Sequence, residues 1–296
     1  MPHGAFIVIT PARNEAGYLD QTIKSVLSQT LFPAAWVIVD DGSTDDTGRI
    51  AAEAARSNSW IKVHTRPDRG HPDWGGGVVG AIYEGLAQVS NFHYEFIFNI
   101  DADIVLAPRY FEGMLEKFDA DPRLGIAVGN IYDLVNGKLA KERGQTQGMG
   151  GAVKCWRRAC FEQIGGLVPG ESWDGIDCIQ AIRHGWQTAT FLDPDLLALH
   201  LRPWRGPFSL VCRNWARRGR ALHFAGAHPL WVLAGALYHV ASRPYLIGGL
   251  CLLIGYLNAC LQKGKQFEDN EFRRFLRRWQ LHKLAGILHL SDQCEN

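Results

Sequence analysis

Three short polar clusters carry the residue types from which chemistry can be built: Pro11-Ala-Arg-Asn-Glu15, Asp40-Asp-Gly-Ser-Thr-Asp45 and Asp101-Ala-Asp103. Each directly follows an apolar run. Carboxylates spaced as Asp101-x-Asp103 at the end of a strand point to one side, because strand side chains alternate with period two. Such a pair suits a hard divalent cation, Mg²⁺ or Mn²⁺, that in turn bridges phosphate oxygens. Taken alone, the triplet reads equally well as a turn that ends a strand. A fourth cluster, Trp173-Asp-Gly-Ile-Asp177, sets two carboxylates at the start of a helix. Asp174 heads that helix, where Asp is also a favoured cap, and Asp177 lies on the same face three residues later.

The elements that position these clusters follow from patterning. Phe6–Thr10, Trp36–Val39, Ile61–Thr65 and Glu95–Ile100 are strand-sized apolar runs, each separated from the next by a helix-sized segment. Leu19, Ile23, Val26 and Leu27 recur at helical spacing in the first segment, and Gly42–Asp45 supplies cap residues ahead of an Ala-rich helix. The alternation predicts βαβ units and a parallel sheet, whose ligands gather at the carboxyl ends of the strands. Further on, the pattern gives a strand over Gly125–Ile131 and helices over Arg157–Ile164 and Asp174–His184. The loop from Arg66 to Gly70 and on to Gly75–Gly77 is either a flexible turn or a place where backbone amides approach a diphosphate, with Arg66 or Arg69 adding charge.

With 296 residues, 47% hydrophobic and 21% charged, the chain is a folded protein rather than a disordered or collagen-like one. Its net charge of +1 conceals −8 over residues 1–200 and +9 over 201–296. An acidic body meets a metal or nucleotide, and a basic tail meets an anionic surface, here membrane phosphate in preference to nucleic acid. Seven scattered cysteines with no C-x-x-C pair indicate neither a disulfide framework nor a zinc site, as expected in a reducing cytoplasm. The turn after the first strand lacks G-x-G-x-x-G, which disfavours a dinucleotide oxidoreductase.

Taken together, Ile9–Glu15, Ser25–Thr30, Val39–Asp45, Asn99–Asp103 and Trp173–Asp177 resemble an inverting family-2 nucleotide-sugar glycosyltransferase with the GT-A fold, over about Phe6 to His200. The resemblance implies an α/β domain over residues 1–204, a Rossmann-like, mostly parallel sheet flanked by helices. It implies that Pro11, Ala12 and Arg13 with Glu15 wall the nucleoside pocket, that Asp41 accepts a hydrogen bond from the base, and that Asp101 and Ala102 lie near the ribose or donor sugar. Asp103 matches the metal ligand, and His200 a later ligand to metal or diphosphate, with a packed histidine as the alternative. Asp174 matches the catalytic base, with Asp177 as rival. Two departures stand out: Trp173 replaces the family's usual Glu, and the Gly75–Glu84 segment lacks the usual Lys or Arg and Asn.

Residues 205–296 read as a helical extension. Arg213, Arg217 and Arg220 form a stripe on a helix over Pro207–Gly226, either a phosphate-binding face or a solvated one. The apolar tract 229–262 splits at Arg243-Pro244 into arms of 14 and 19 residues, both short of the about 20 that a bilayer crossing requires. Its basic flanks suit a re-entrant or interfacial hairpin with both ends on the cytoplasmic side, and a buried soluble helical pair is the alternative. A basic amphipathic helix over 267–284 suits an anionic lipid surface, or equally a docking face against the body or a second subunit. The sequence thus predicts a metal-dependent transferase acting on a lipid-linked or polysaccharide acceptor at the cytoplasmic membrane face, with a soluble cytoplasmic enzyme and a catalytically degenerate membrane-bound scaffold as alternatives.

Overall fold

The structure is a computed structural model and describes residues 3–71, 73, 75–135, 138–141, 148–202, 208–240 and 246–292. The expected helix break at Arg243-Pro244 lies outside the described residues. The chain divides into two compact units, residues 1–169 with 173–204, and residues 170–172 with 205–296.

The first unit runs β1 (Phe6–Ala12), α1 (Leu19–Leu27), β2 (Ala35–Asp40), α2 (Thr47–Ser57), β3 (Ile61–Thr65), α3 (Gly76–Ala87), β4 (Phe96–Ile100), β5 (Ile104–Leu106) and α4 (Tyr110–Ala120). It continues with β6 (Leu124–Val128), β7 (Asn130–Val135), β8 (Lys138–Lys141), β9 (Val153–Arg157), α5 (Arg158–Gln163), α6 (Trp173–Arg183), β10 (Gln187–Thr190) and β11 (Leu197–His200). Seven strands form the main sheet in the order β10-β6-β9-β4-β1-β2-β3. The pairs among β4, β1, β2 and β3 and the pair β10–β6 are parallel, whereas β9 runs antiparallel to both β4 and β6.

Helices cover both faces of that sheet, so its central strands are buried on both sides and read as unbroken apolar runs. One core gathers Phe6, Val8, Trp36, Phe98 and Phe111; the other gathers Ile7, Ile9, Val37, Ile82 and Trp156. The alternation of Ile7 and Ile9 with Phe6 and Val8 is the period-two rule in operation. Helix α3 lies so close to the sheet that a Cβ on Gly85 would stand 2.7 Å from Ile9 Cγ2.

A second, four-stranded sheet has the order β5-β11-β7-β8. It corrects one expectation: Gly125–Ile131 is not a single strand but the end of β6 and the start of β7, which belong to different sheets. The switch falls at Gly129, where a Cβ would lie 2.3 Å from the Leu196 carbonyl oxygen. Only glycine fits there. Periodicity did not separate the two strands because Gly129-Asn130 is a short interruption in an otherwise apolar run with no proline.

The second unit is helical: α7 (Phe208–Ala225), α8 (Pro229–Val240), α9 (Ile247–Leu261) and α10 (Asn270–Asp292). Small residues let the helices approach closely. A Cβ on Gly219 would sit 2.1 Å from Leu252 O, on Gly255 2.0 Å from Ala216 O, and on Gly249 2.4 Å from Ala236 O. No helix among the described residues is long and apolar enough to cross a membrane. The apolar stripe of α10 is engaged within this unit: Phe272, Leu276 and Gln280 are buried, and the Trp231 and Trp279 rings lie 5.9 Å apart. Its arginines Arg274 and Arg278 stay exposed. The exposed apolar surface is on α8 and α9 instead, at Leu230, Leu233, Leu237, Leu250, Ile254, Leu257 and Leu261.

Candidate active site at the carboxyl ends of the strands

The loops after β1 and β2 are joined by hydrogen bonds. The Asn14 amide donates to Ser43 Oγ at 3.0 Å, Thr44 N to Asn14 Oδ1 at 2.8 Å, Glu15 N to Thr47 Oγ1 at 2.7 Å, and Ala16 N to Asp45 Oδ2 at 3.1 Å. Pro11 and Ala12 pair in register with Val39 and Asp40, so the backbone through Arg13 forms a wall beside Asp41. The Asp41 side chain is 6% exposed. Its carboxylate receives Arg66 Nη1 at 2.5 Å and Arg69 Nη1 at 2.5 Å, and its carbonyl oxygen receives Arg13 Nη1 at 2.5 Å. Arg66 also reaches Glu84 at 2.9 Å and Gly77 O at 3.0 Å, which fastens the loop to the start of α3. Two guanidiniums therefore hold the carboxylate that the resemblance assigns to the base, and Arg69 Nε is buried with no hydrogen-bond partner.

Asp101, Ala102 and Asp103 form the turn from β4 into β5, since β4 ends at Ile100. Strand alternation therefore does not orient the two carboxylates, contrary to the sequence expectation; the turn and its neighbours do. Thr22 Oγ1 donates to Ala102 O at 2.8 Å, and Leu201 N donates to Asp103 O at 2.8 Å. The antiparallel pairing of β5 with β11 sets His200 opposite Ile104, one residue beyond Asp103. His200 Nε2 thereby stands 3.4 Å from Asp103 Oδ2, and Arg202 Nε lies 3.6 Å from the same oxygen. Arg202 also donates to Glu15, so it bridges the β1 and β4 loops.

Burial, and then the neighbouring Asp103, hold the Asp101 carboxyl well above the usual carboxylate range. Burial likewise pushes Glu15 up to about 7, against the pull of Arg202. Three acids crowded where water is scarce favour positive charge beside them, part of which Arg202 supplies. Oxygen donors from Asp101 and Asp103 with one imidazole from His200 fit a hard to borderline divalent ion such as Mg²⁺ or Mn²⁺. These three do not close a cage of their own among the described residues.

Gly151 links this turn to Asp174. Asn99 Nδ2 donates to Gly151 O at 2.9 Å and reaches Asp101 Oδ1 at 3.5 Å, and Asp101 N donates to Ala152 O at 2.8 Å. A Cβ on Gly151 would stand 3.4 Å from Asp174 Oδ2 and 3.1 Å from the Trp173 ring. Asp177 is placed differently: it is 1% exposed, and its carboxylate accepts Lys154 Nζ at 3.0 and 3.1 Å and Trp156 Nε1 at 2.8 Å.

Pro11, Ala12, Arg13, Glu15, Asp41 and Arg66 thus gather at the ends of β1 to β3, and Asp101, Ala102, Asp103, His200 and Asp174 at the end of β4. Arg13 and Arg202 tie the β1 loop to both sides. Arg213, Arg217 and Arg220 belong to the second unit, where Arg220 is paired with Glu171 at 3.1 Å and Arg213 is exposed. Sequence reasoning missed Arg202, Asn99 and Lys154. Of these, Lys154 left a signal, as the lone charge inside the strand-like run Val153–Trp156.

The fold and the polar loops at its strand ends define the class: a GT-A α/β domain of the nucleotide-sugar glycosyltransferase type. The profile of Glycosyl transferase family 2 matches residues 7–186, and the chain belongs to that family. Among curated relatives, the poly-beta-1,6-N-acetyl-D-glucosamine synthases of Staphylococcus aureus and Staphylococcus epidermidis are 30% and 33% identical over 120 residues, covering 40% of this chain and 26% of each synthase. The match spans only about a quarter of those proteins. Among solved structures, the mannosyltransferase PcManGT from Pyrobaculum calidifontis, in complex with GDP-Man and Mn²⁺, superposes with a TM-score of 0.56 at 16% identity, covering 97% of this chain and 87% of that one. S. aureus TarS 1-349 in complex with UDP-GlcNAc does so with a TM-score of 0.53 at 17% identity, covering 88% and 73%.

Proposed function

We propose that the protein is a metal-dependent, inverting glycosyltransferase that moves a sugar from a nucleotide-diphosphate donor to a hydroxyl of a lipid-linked or polysaccharide acceptor. The observation that carries this reading is that Arg13 binds Asp41, Arg202 joins Glu15 to Asp103, Asn99 joins Asp101 to Gly151, and Asp174 lies beside Gly151. These residues lie at the carboxyl ends of β1, β2 and β4 and at the start of α6, which supports a nucleotide pocket, a cation site and a base side by side. Family membership and the donors named for the similar structures support it.

Asp103 and His200, with Asp101 beside them, would hold the cation, which supplies positive charge for the departing diphosphate. Asp41 and Glu15 with the Pro11–Arg13 wall hold the nucleoside, and Arg66 or Arg69 adds charge toward the phosphates. Asp174 takes the proton from the acceptor hydroxyl as its oxygen attacks the anomeric carbon opposite the leaving group. Asp177 is committed to Lys154 and Trp156, which favours Asp174 over it as the base. Most of the catalysis is positioning and fixed charge.

The reading extends to the cytoplasmic membrane face, and the surface of the second unit supports it. One side of α9 packs through Gly248, Gly249, Leu252 and Gly255, while Leu250, Ile254, Leu257 and Leu261 are more than half exposed. That apolar row ends at Lys263 and Lys265, and the charge of +9 over 201–296 complements anionic headgroups. Helices this short rest in the interface instead of spanning it. Thermal-shift screening of UDP-, GDP- and dTDP-sugars with Mn²⁺, followed by turnover of the donor that stabilises, tests the reading; a protein that binds none of them would refute it.

A further inference from the structure

Beneath the first turn of α6 the structure buries a lysine. Lys154 lies on β9 with a fully buried side chain, directly opposite Asn99 of β4 in the antiparallel register. Its ammonium donates to the Asp174 main-chain carbonyl at 2.6 Å and to both Asp177 oxygens at 3.1 and 3.0 Å. It also sits 5.8 Å from the centroids of both the Trp156 and Trp173 rings. Trp156 Nε1 and the Cys178 amide complete the hydrogen bonding of Asp177 at 2.8 and 2.7 Å. A charge is costly to remove from water, and a buried ion pair is often no more stabilising than a well-packed apolar pair of the same volume. Stability alone is therefore a poor reason for this arrangement.

Its geometry supplies another. The residue whose carbonyl the ammonium grips is the proposed base, so one buried cation fixes the backbone of Asp174 from below. On the neighbouring strand, Asn99 reaches Asp101 and donates to the carbonyl of Gly151, the residue beside the Asp174 carboxylate. We infer that Lys154, clamped by Asp177 and the two tryptophans, is a positioning residue that fixes Asp174 for proton abstraction. This rests on the assignment of Asp174 under the proposed function. The cage holds four heavily constrained partners and leaves the Asp174 carboxylate on the Gly151 side of the turn. A displacement of about 1 Å in such a group costs on the order of 100-fold in rate without weakening substrate binding.

The test compares wild type with Lys154→Met/Asp177→Leu, which replaces the ion pair by an apolar pair, and with Lys154→Arg, which keeps the charge but not the compact donor. Active sites are counted by UDP or GDP binding with Mn²⁺, so that each kcat refers to folded protein only. The expected result for both variants is a kcat lowered about 10- to 100-fold, with the donor KM and the nucleotide Kd within about threefold of wild type. Should the double variant not fold, Lys154→Arg alone decides. A wild-type kcat in either folded variant overturns the inference. Asp174→Asn, assayed in parallel, separates the two failures: if it retains wild-type kcat the base assignment is wrong, whereas an inactive Asp174→Asn beside fully active Lys154 variants overturns only the positioning role.

Discussion

His200 Nε2 stands 3.4 Å from Asp103 Oδ2, although the two residues lie 97 positions apart in the chain. The antiparallel β5–β11 pairing makes that approach, and Leu201 N on Asp103 O locks it. Replacing His200 by Ala is expected to weaken Mn²⁺ affinity about tenfold or more and leave the fold intact. Asp103→Ala is expected to abolish Mn²⁺-dependent nucleotide binding. Calorimetric titration of Mn²⁺ in the presence of the nucleotide checks both.

Asp41 is held by Arg66 and Arg69, so it contributes to the loop as well as to the pocket. Asp41→Asn keeps the shape and removes the charge. Hydrogen bonds to a charged group contribute about 1.5–3 kcal/mol, so nucleotide affinity is expected to drop about 10- to 100-fold. The thermal midpoint should fall too, because Arg69 loses the carboxylate it binds and Arg66 keeps only Glu84. An unchanged Kd by titration would remove Asp41 from the pocket.

Glu15 titrates at about 7 in the folded protein and near 4.5 when unfolded, because burial disfavours its charged form. Between those values the folded state binds the extra proton, so this group's contribution is greatest at low pH and is lost as pH rises through 7. Glu15→Gln removes the titration. Its thermal midpoint relative to wild type should therefore shift upward as pH is raised from 5 to 8. A constant difference across that range would contradict the assignment.

The second unit depends on close helix contact at Gly255, where a Cβ would meet Ala216 O at 2.0 Å. Gly255→Val forces the backbones of α7 and α9 apart, and overpacking of this kind costs about 1–3 kcal/mol or more. Chemical denaturation should show an earlier transition for the variant.

The membrane reading concerns surface leucines, not packing. Changing Leu250, Ile254, Leu257 and Leu261 together to Ser is expected to leave nucleotide binding unchanged and to abolish sedimentation with vesicles containing anionic lipid. Retained vesicle binding, or a wild-type protein that ignores such vesicles and forms dimers through this face, would count against it.

Much of this architecture was legible in the sequence. The first four strands announce themselves because they are short, β-branched and separated by amphipathic helices, and the strand-end clusters sit where a parallel sheet must present them. The β6 to β7 switch at Gly129 was not legible, because a strand that changes sheets keeps the same composition. The Asp101–Asp103 pair was recognised for the wrong geometric reason, since a turn and not strand alternation places it. Arg202 and Lys154 act across the fold on Glu15, Asp103 and Asp174, and nothing local in a sequence ties a lysine on one strand to a helix start twenty residues later.

Whether the strand-end acids and Asp174 at the start of α6 carry out glycosyl transfer is decided by the turnover number of Asp174→Asn, measured beside wild type on the donor that thermal shift selects, with Mn²⁺ present and nucleotide affinity determined for both. The variant is expected to bind the nucleotide as wild type does while its kcat falls about 100- to 10,000-fold, the usual contribution of a general base. Wild-type turnover in the variant would contradict it.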